Sequence, residues 1–230
     1  MVSSKRLLRL LEVTKSYVVF NKENIDVIEN LFVQVIDKNE LKAKEYLDSL
    51  KNVKKMLSDD LDFFMESDPA VDSKEEIVLA YPGYKAIMTY RIAHVLYEMN
   101  YKLQARMMSE SAHSQTGIDI HPGAKLASPL FIDHGTGIVV GETTISKKNL
   151  KIYQGVTLGA LSLKNGASLK GTKRHPTLGE NVIIYAGASI LGDIAVGNNV
   201  TIGSNVFITE SIPDNVKVTF GKPALVISKK

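Results

Sequence analysis

Residues 178–212, LGENVIIYAGASILGDIAVGNNVTIGSNVFITESI, decide the fold. Leu178, Ile184, Ile190, Val196, Ile202 and Ile208 stand six apart without a miss. Four residues after each come Val182, Ala188, Ile194, Val200, Val206 and Ile212. Every one of these positions is apolar, in a chain whose apolar fraction is 44%. A helix repeats every 3.6 residues and a strand every two, so neither produces a period of six. The pattern is a hexapeptide solenoid, in which each short strand buries one aliphatic and then turns a corner. Gly179, Gly197 and Gly203 follow the first aliphatic of their hexads, where a tight corner wants glycine.

Upstream, Ile120, Leu126, Ile132 and Ile138 keep the same spacing, but a frame through Val140, Ile152 and Leu158 then fits better. This predicts a two-residue slip near Gly135–Gly137. Between Gly159 and His175 the repeat is broken by ALSLKNGASLKGTK, residues 160–173, rich in Gly, Ser and Lys. The segment reads as a long excursion from the coil, and such loops are more often functional than idle.

The other half has helical texture, from about Glu23 to Ser114. Ile25, Ile28, Phe32 and Val35 fall three or four apart, as do Leu47, Leu50, Val53 and Leu57. Asp68-Pro69 is expected to cap a helix with proline at its first position. Ser73 and Glu76 have capping-box spacing, Pro82 opens a further helix, and Gly117 ends the region. The expected fold class is α+β: an all-helical N-terminal domain over 1–116, then a parallel β-helix of hexapeptide repeats over 117–230.

The net charge of +3 and pI near 8.8 suit an anionic ligand but lack the concentrated basic patch of a nucleic-acid binder. No cysteine is present, which excludes disulfides, thiolate metal sites and cysteine nucleophiles, and fits a reducing compartment. Met1–Phe20 carries four basic residues without an apolar core of signal-peptide length. No stretch approaches the roughly 20 apolar residues of a membrane span. The expectation is a soluble cytoplasmic protein.

Three clusters could carry chemistry: Asp119 in DIHP, Asp133-His134 in DHGTGIVVGE, and Arg174-His175 in RHP. A triangular coil takes about 18 residues, and Asp119 and His134 are 15 apart, so they can meet on adjacent coils. A carboxylate beside a histidine makes a general base, fixing its tautomer and stabilising the imidazolium. Composition alone favours a backbone-capping turn for such a pair. His121 beside Pro122 reads as structural, and His94 as a satisfied helix histidine one turn from Tyr90. Glu142 is either a consequence of the slip or a buried carboxylate orienting a neighbour.

The string DIHPGAKL…DHGTGIVVGET…YQGVTLGA…RHPTLG, with SDPAVD upstream, closely resembles the bacterial-type serine O-acetyltransferase family, from about Asp68 to Ala224. The resemblance implies a left-handed β-helix, against the usual right-handed crossover preference. It implies that His134 is the base that takes the serine hydroxyl proton, supported by Asp119. Asp68 and Asp133 would bind the ammonium group and Arg174 the carboxylate, a task for a bidentate guanidinium. His175 would contact the substrate. Acetyl-CoA would lie along the coils near Gly159, Ala160, Ala186, Gly203 and Ser204, where small residues admit the pantetheine arm.

The oxygen would attack the thioester directly, with no acyl-enzyme and no metal. Trimers, in many relatives paired into hexamers, would place active sites between subunits, and L-cysteine would act as a feedback inhibitor. Two departures stand out. The excursion before Arg174 is longer than the family's glycine-rich loop. The closing Gly-x-Pro-Ala-Arg appears as Gly221-Lys222-Pro223-Ala224-Leu225, so Lys222 is left to supply charge near the CoA phosphates. Only six residues follow Ala224, and where many relatives end in an isoleucine that inserts into O-acetylserine sulfhydrylase, Ile227 here is covered by Ser228, Lys229 and Lys230. No stable complex with that enzyme is therefore expected. The rival readings are a hexapeptide acetyltransferase for a sugar or another hydroxyl acceptor, a zinc enzyme built on His121, His134 and His175, and a non-catalytic scaffold.

Overall fold

The computed structural model describes residues 4–20, 22, 24–162 and 166–221. Six α-helices come first: α1 (Ser4–Phe20), α2 (Ile25–Val35), α3 (Glu40–Ser67), α4 (Lys74–Ala80), α5 (Pro82–Glu98) and α6 (Lys102–Thr116). The helix α1 adds to the helices expected from the sequence. Its Leu7, Leu10, Leu11, Thr14 and Val18 line one buried face among the basic residues.

The caps followed local chemistry with one exception. Ser73 Oγ accepts the Glu76 N–H at 3.2 Å and opens α4. Glu76 reaches back to the N–H of Asp72, one residue before the reciprocal capping-box partner. Pro82 takes the first turn of α5, and Gly117 ends α6 in the left-handed conformation at φ 70°. Asp68-Pro69 does not start a helix. Asp68 is the C-cap of α3, and its Oδ1 accepts the Ala70 N–H at 2.9 Å in a tight Asx turn. The ring of Pro69 disfavours the helical conformation for Asp68, which is extended at φ −112°, ψ 110°, and so ends the long helix that began at Asn39.

The strands then wind in threes. The first coil holds β1 (Asp119–Ile120), β2 (Lys125–Leu126) and β3 (Leu130–Asp133), and the second β4 (Val139–Val140), β5 (Ile145–Ser146) and β6 (Leu150–Tyr153). Next come β7 (Thr157–Gly159), β8 (Thr177–Leu178) and β9 (Ile183–Ile184), then β10 (Ser189–Leu191), β11 (Ala195–Val196) and β12 (Thr201–Ile202). The strands β13 (Phe207–Ile208) and β14 (Lys217–Val218) close the stack. They build three parallel sheets, ordered β1-β4-β7-β10-β13, β2-β5-β8-β11 and β3-β6-β9-β12-β14, the faces of a left-handed parallel β-helix.

Register accounts for each irregularity of the sequence. Regular coils pair residues 18 apart, as Ile184 with Ile202. In the first coil Ile120 pairs Val140 and Ile132 pairs Ile152, 20 apart, so two residues are added between β3 and β4, where the slip was expected. Ile145 pairs Thr177, 32 residues on. The surplus over a regular coil equals the length of the 160–173 excursion. Leu178, Ile184, Ile190 and Ile202 are fully buried in the prism. Ser146 takes an aliphatic's interior place between Leu126 and Leu178, and its hydroxyl has no partner among the described residues.

The helices cover the start of the third sheet. Phe131 faces outward from β3 yet is 1% exposed, its ring 4.7 Å from that of Phe64. Buried Arg91 of α5 grips Asp60 of α3 at 2.5 and 2.7 Å, and Asp60 accepts the Leu130 N–H at 2.8 Å. Arg91 also donates to the Leu126 carbonyl at 3.2 Å. This clasp joins two helices to the first coil.

Candidate active site

The corner between the third and first sheets carries one group of site residues. The two added residues let the chain bulge there, with His134 in the left-handed region at φ 55°. Its ring is largely exposed, and Nδ1 lies 3.6 Å from Asp133 Oδ1. Asp68 arrives from the end of α3, and its Oδ2 accepts the Tyr81 hydroxyl at 3.0 Å. Burial, and then the Asp68 carboxylate, push that phenol up to about 12, with Asp133 adding to the effect. Burial also raises the Tyr153 phenol, and the charges of Asp133 and Asp68 act in the same direction. Asp68 and Asp133 thus lie near the same two tyrosines, with the exposed His134 ring beside Asp133.

Asp119 begins β1 at the same end of the first sheet, but its polar partner is Arg106 of α6, at 3.4 Å. Asp119 and His134 are not hydrogen-bonded to each other in a single chain. Glu110, His113 and Asp119 bring three metal-type ligand atoms together among the described residues, with Arg106 reaching into the same group and ion-paired to both Glu110 and Asp119.

The corner between the first and second sheets carries the other group. Arg174 and His175 are where the excursion rejoins the coil, and both dock on Gly141-Glu142-Thr143 of the coil below. Arg174 Nη2 donates to Glu142 Oε2 at 2.5 Å, and Tyr97 of α5 donates to Glu142 Oε1 at 2.7 Å. Burial alone would raise the Glu142 carboxyl, but the hydrogen bonds from Arg174 and Tyr97 outweigh it and hold it below the usual range. Of the two readings of Glu142, this geometry favours the orienting carboxylate. Tyr97, Thr143 and Arg106 were not found by sequence reasoning, because no local pattern links them to their partners.

The remaining histidines have local explanations. His121 Nδ1 accepts the Gly123 N–H at 3.0 Å, and burial lowers its pKa. His94 Nδ1 pairs with the Pro122 carbonyl at 2.7 Å. His121, His134 and His175 do not converge within one chain, since His134 stands on a different corner.

The expected cofactor positions also divide between corners. Gly159 and Ala160 stand where the first sheet turns into the excursion, whereas Ala186, Gly203 and Ser204 lie between the third and first sheets. At Gly203 an added Cβ would meet Thr219 Cγ2 at 3.0 Å and the Val218 carbonyl oxygen at 3.1 Å, so the surface there is closely fitted around a glycine. Lys222 lies outside the described residues. No described helix is long and apolar enough to cross a membrane.

Residues 175–210 match the family model for the bacterial transferase hexapeptide (six repeats). A plasmid-borne serine acetyltransferase of Synechococcus elongatus is 47% identical over 174 residues, covering 74% of this chain. The chain spans about half, 54%, of that relative's length. A serine acetyltransferase of Helicobacter pylori is 44% identical over 75% of this chain and 97% of its own. Among solved structures, serine acetyltransferase 1 of Entamoeba histolytica in complex with L-cysteine superposes with a TM-score of 0.79 at 36% identity. That match covers 96% of this chain and 87% of the other.

Proposed function

The chain belongs to the serine acetyltransferase family, and from that membership we propose that it transfers acetyl from acetyl-CoA to the hydroxyl of L-serine, giving O-acetyl-L-serine for cysteine synthesis. The observation that carries the assignment to this chain's own residues is the split site. Two carboxylates with a histidine occupy one corner, and an arginine held by Glu142 occupies another. A zwitterionic amino acid needs both halves, an acidic recess for its ammonium and a guanidinium fork for its carboxylate.

In this reading a trimer brings the corner between the first and second sheets of one subunit against the corner between the third and first sheets of its neighbour. Asp68 and Asp133 then hold the ammonium group and Arg174 the carboxylate. His134 takes the hydroxyl proton, and Asp119 supports it once serine is enclosed, when hydrogen bonds that are long in the free enzyme tighten. The same association would bring Gly159 and Ala160 opposite Ala186, Gly203 and Ser204, making one channel for acetyl-CoA. The cysteine bound by the Entamoeba relative is an isostere of serine, and here it would occupy the serine site as an inhibitor. The protein would act in the cytoplasm, as a trimer or a pair of trimers.

The test is thiol release from acetyl-CoA against a panel of amino acids and sugars. Serine should be the preferred acceptor, and His134→Ala should lower kcat by about 10² to 10⁴ while acetyl-CoA still binds. Near-normal kcat in His134→Ala refutes the base, and preference for a sugar refutes the substrate.

A further inference from the structure

Thr143 makes an unusual set of contacts with the two residues that end the excursion. Its hydroxyl oxygen accepts the backbone N–H groups of Arg174 and His175, at 3.0 and 3.1 Å. The same oxygen lies 2.8 Å from His175 Nδ1, and the backbone N–H of Thr143 reaches that nitrogen at 3.1 Å. A backbone N–H can only donate, so Nδ1 is an acceptor and carries no proton. With its two acceptor sites already filled, the Thr143 oxygen is free to direct its own proton to Nδ1 as well. In a neutral imidazole the remaining proton then sits on Nε2.

The surroundings keep that ring neutral. His175 is 7% exposed. Burial, then the charges of Arg174 and Lys173, push its pKa down to about 4, with His121 adding to the effect and Glu142 opposing it. Lys173 also donates to the His175 carbonyl, which anchors the backbone. The ring lies flat on Gly141, where a Cβ would come within 2.2 Å of Nε2. No described residue accepts a hydrogen bond from Nε2, which leaves that donor for a ligand.

We infer that Thr143 is a positioning residue that sets His175 as its Nε2–H tautomer, so that His175 meets the substrate as a hydrogen-bond donor to oxygen and not as a second base. The inference deepens the serine acetyltransferase reading, in which His175 contacts the acceptor. His134 takes the serine hydroxyl proton, and the oxygen bonds to the thioester carbonyl carbon. The carbon–sulfur bond then breaks, and the proton returns from the His134 imidazolium to the CoA thiolate. His175 keeps its proton throughout and stabilises negative charge building on oxygen.

Two measurements test this on the full chain. Histidine-selective ¹⁵N NMR, with the His175 signals identified by their loss in His175→Gln, should show Nε2 protonated and Nδ1 bare from pH 5 to 8. A proton on Nδ1, or a ring that titrates between pH 6 and 8, overturns the inference. In turnover, His175→Gln keeps an amide N–H near the Nε2 position and should stay within roughly tenfold of the parent kcat, whereas His175→Ala should lose about 10² or more. Equal losses in the two variants overturn the donor role. Thr143→Val should lower kcat roughly tenfold with the KM for acetyl-CoA unmoved, and Thr143→Ser should restore it. A serine variant as impaired as the valine one overturns the positioning role. A parent chain with no acetyltransferase turnover would strike the functional reading, while the NMR experiment, which needs no turnover, would still decide the tautomer.

Discussion

Ile184 and Asp60 are both buried, yet their partners are found in opposite ways. Ile184 sits between Ile152 and Ile202 in one inner row of the β-helix, as every coil repeats the same placement. Asp60 has partners 31, 68 and 70 residues away, on α5, just before β3 and at the first residue of β3. A solenoid residue meets its counterparts in the coils above and below, so its surroundings follow from the repeat. A helix residue meets whatever packing brings to it. The difference also sorts the site. Residues on a corner are positioned by the coil, whereas Asp68, Tyr97 and Arg106 are brought to the corners by helices.

Removing the clasp is the strongest way to break this contrast. Asp60→Ala leaves Arg91 buried without its carboxylate and should cost about 3–5 kcal/mol of stability, measured by denaturant unfolding. Hydrogen exchange should speed in α3, α5 and the first coil while the coils from β8 onward stay protected. A loss below about 1 kcal/mol would mean that the two halves are not joined through this pair.

A middle-sized effect is expected at the corner residue Glu142, which Tyr97 of α5 reaches. Glu142→Gln weakens the hold on Arg174, and it should raise the KM for serine about tenfold, roughly 1.4 kcal/mol, with a smaller effect on kcat. The KM for acetyl-CoA should not move. If kcat falls instead and the serine KM is unchanged, Glu142 does not act through Arg174.

The smallest effect tests whether the helical half also contains local features. Ser73→Ala removes one cap from a short helix and should cost about 1 kcal/mol by thermal unfolding, without altering hydrogen exchange in the β-helix. A loss several times larger would show that α4 is coupled to the clasp.

The amino-acid sequence by itself determined the β-helix, including the two added residues before Val140 and the 14-residue excursion, because a period of six has one structural solution. It determined the helix starts at Ser73 and Pro82 and the stop at Gly117, where side-chain or backbone chemistry acts within a few residues. It could not decide Asp68-Pro69, which has the composition of a helix start. The turn after α3 uses the same two residues to end a helix, and only the position of α3 distinguishes the two. The family's motifs marked Arg174 and His175, but the grip of Glu142 on the arginine, the hydrogen bond from Tyr97 that braces that carboxylate, and the hold of Thr143 on the imidazole came only from the tertiary structure. Those contacts join residues 31 to 45 positions apart across a corner and a helix. Hydrogen bonds over such separations leave no periodic trace in a sequence, because what brings the partners together is the register of the coils and the packing of α5.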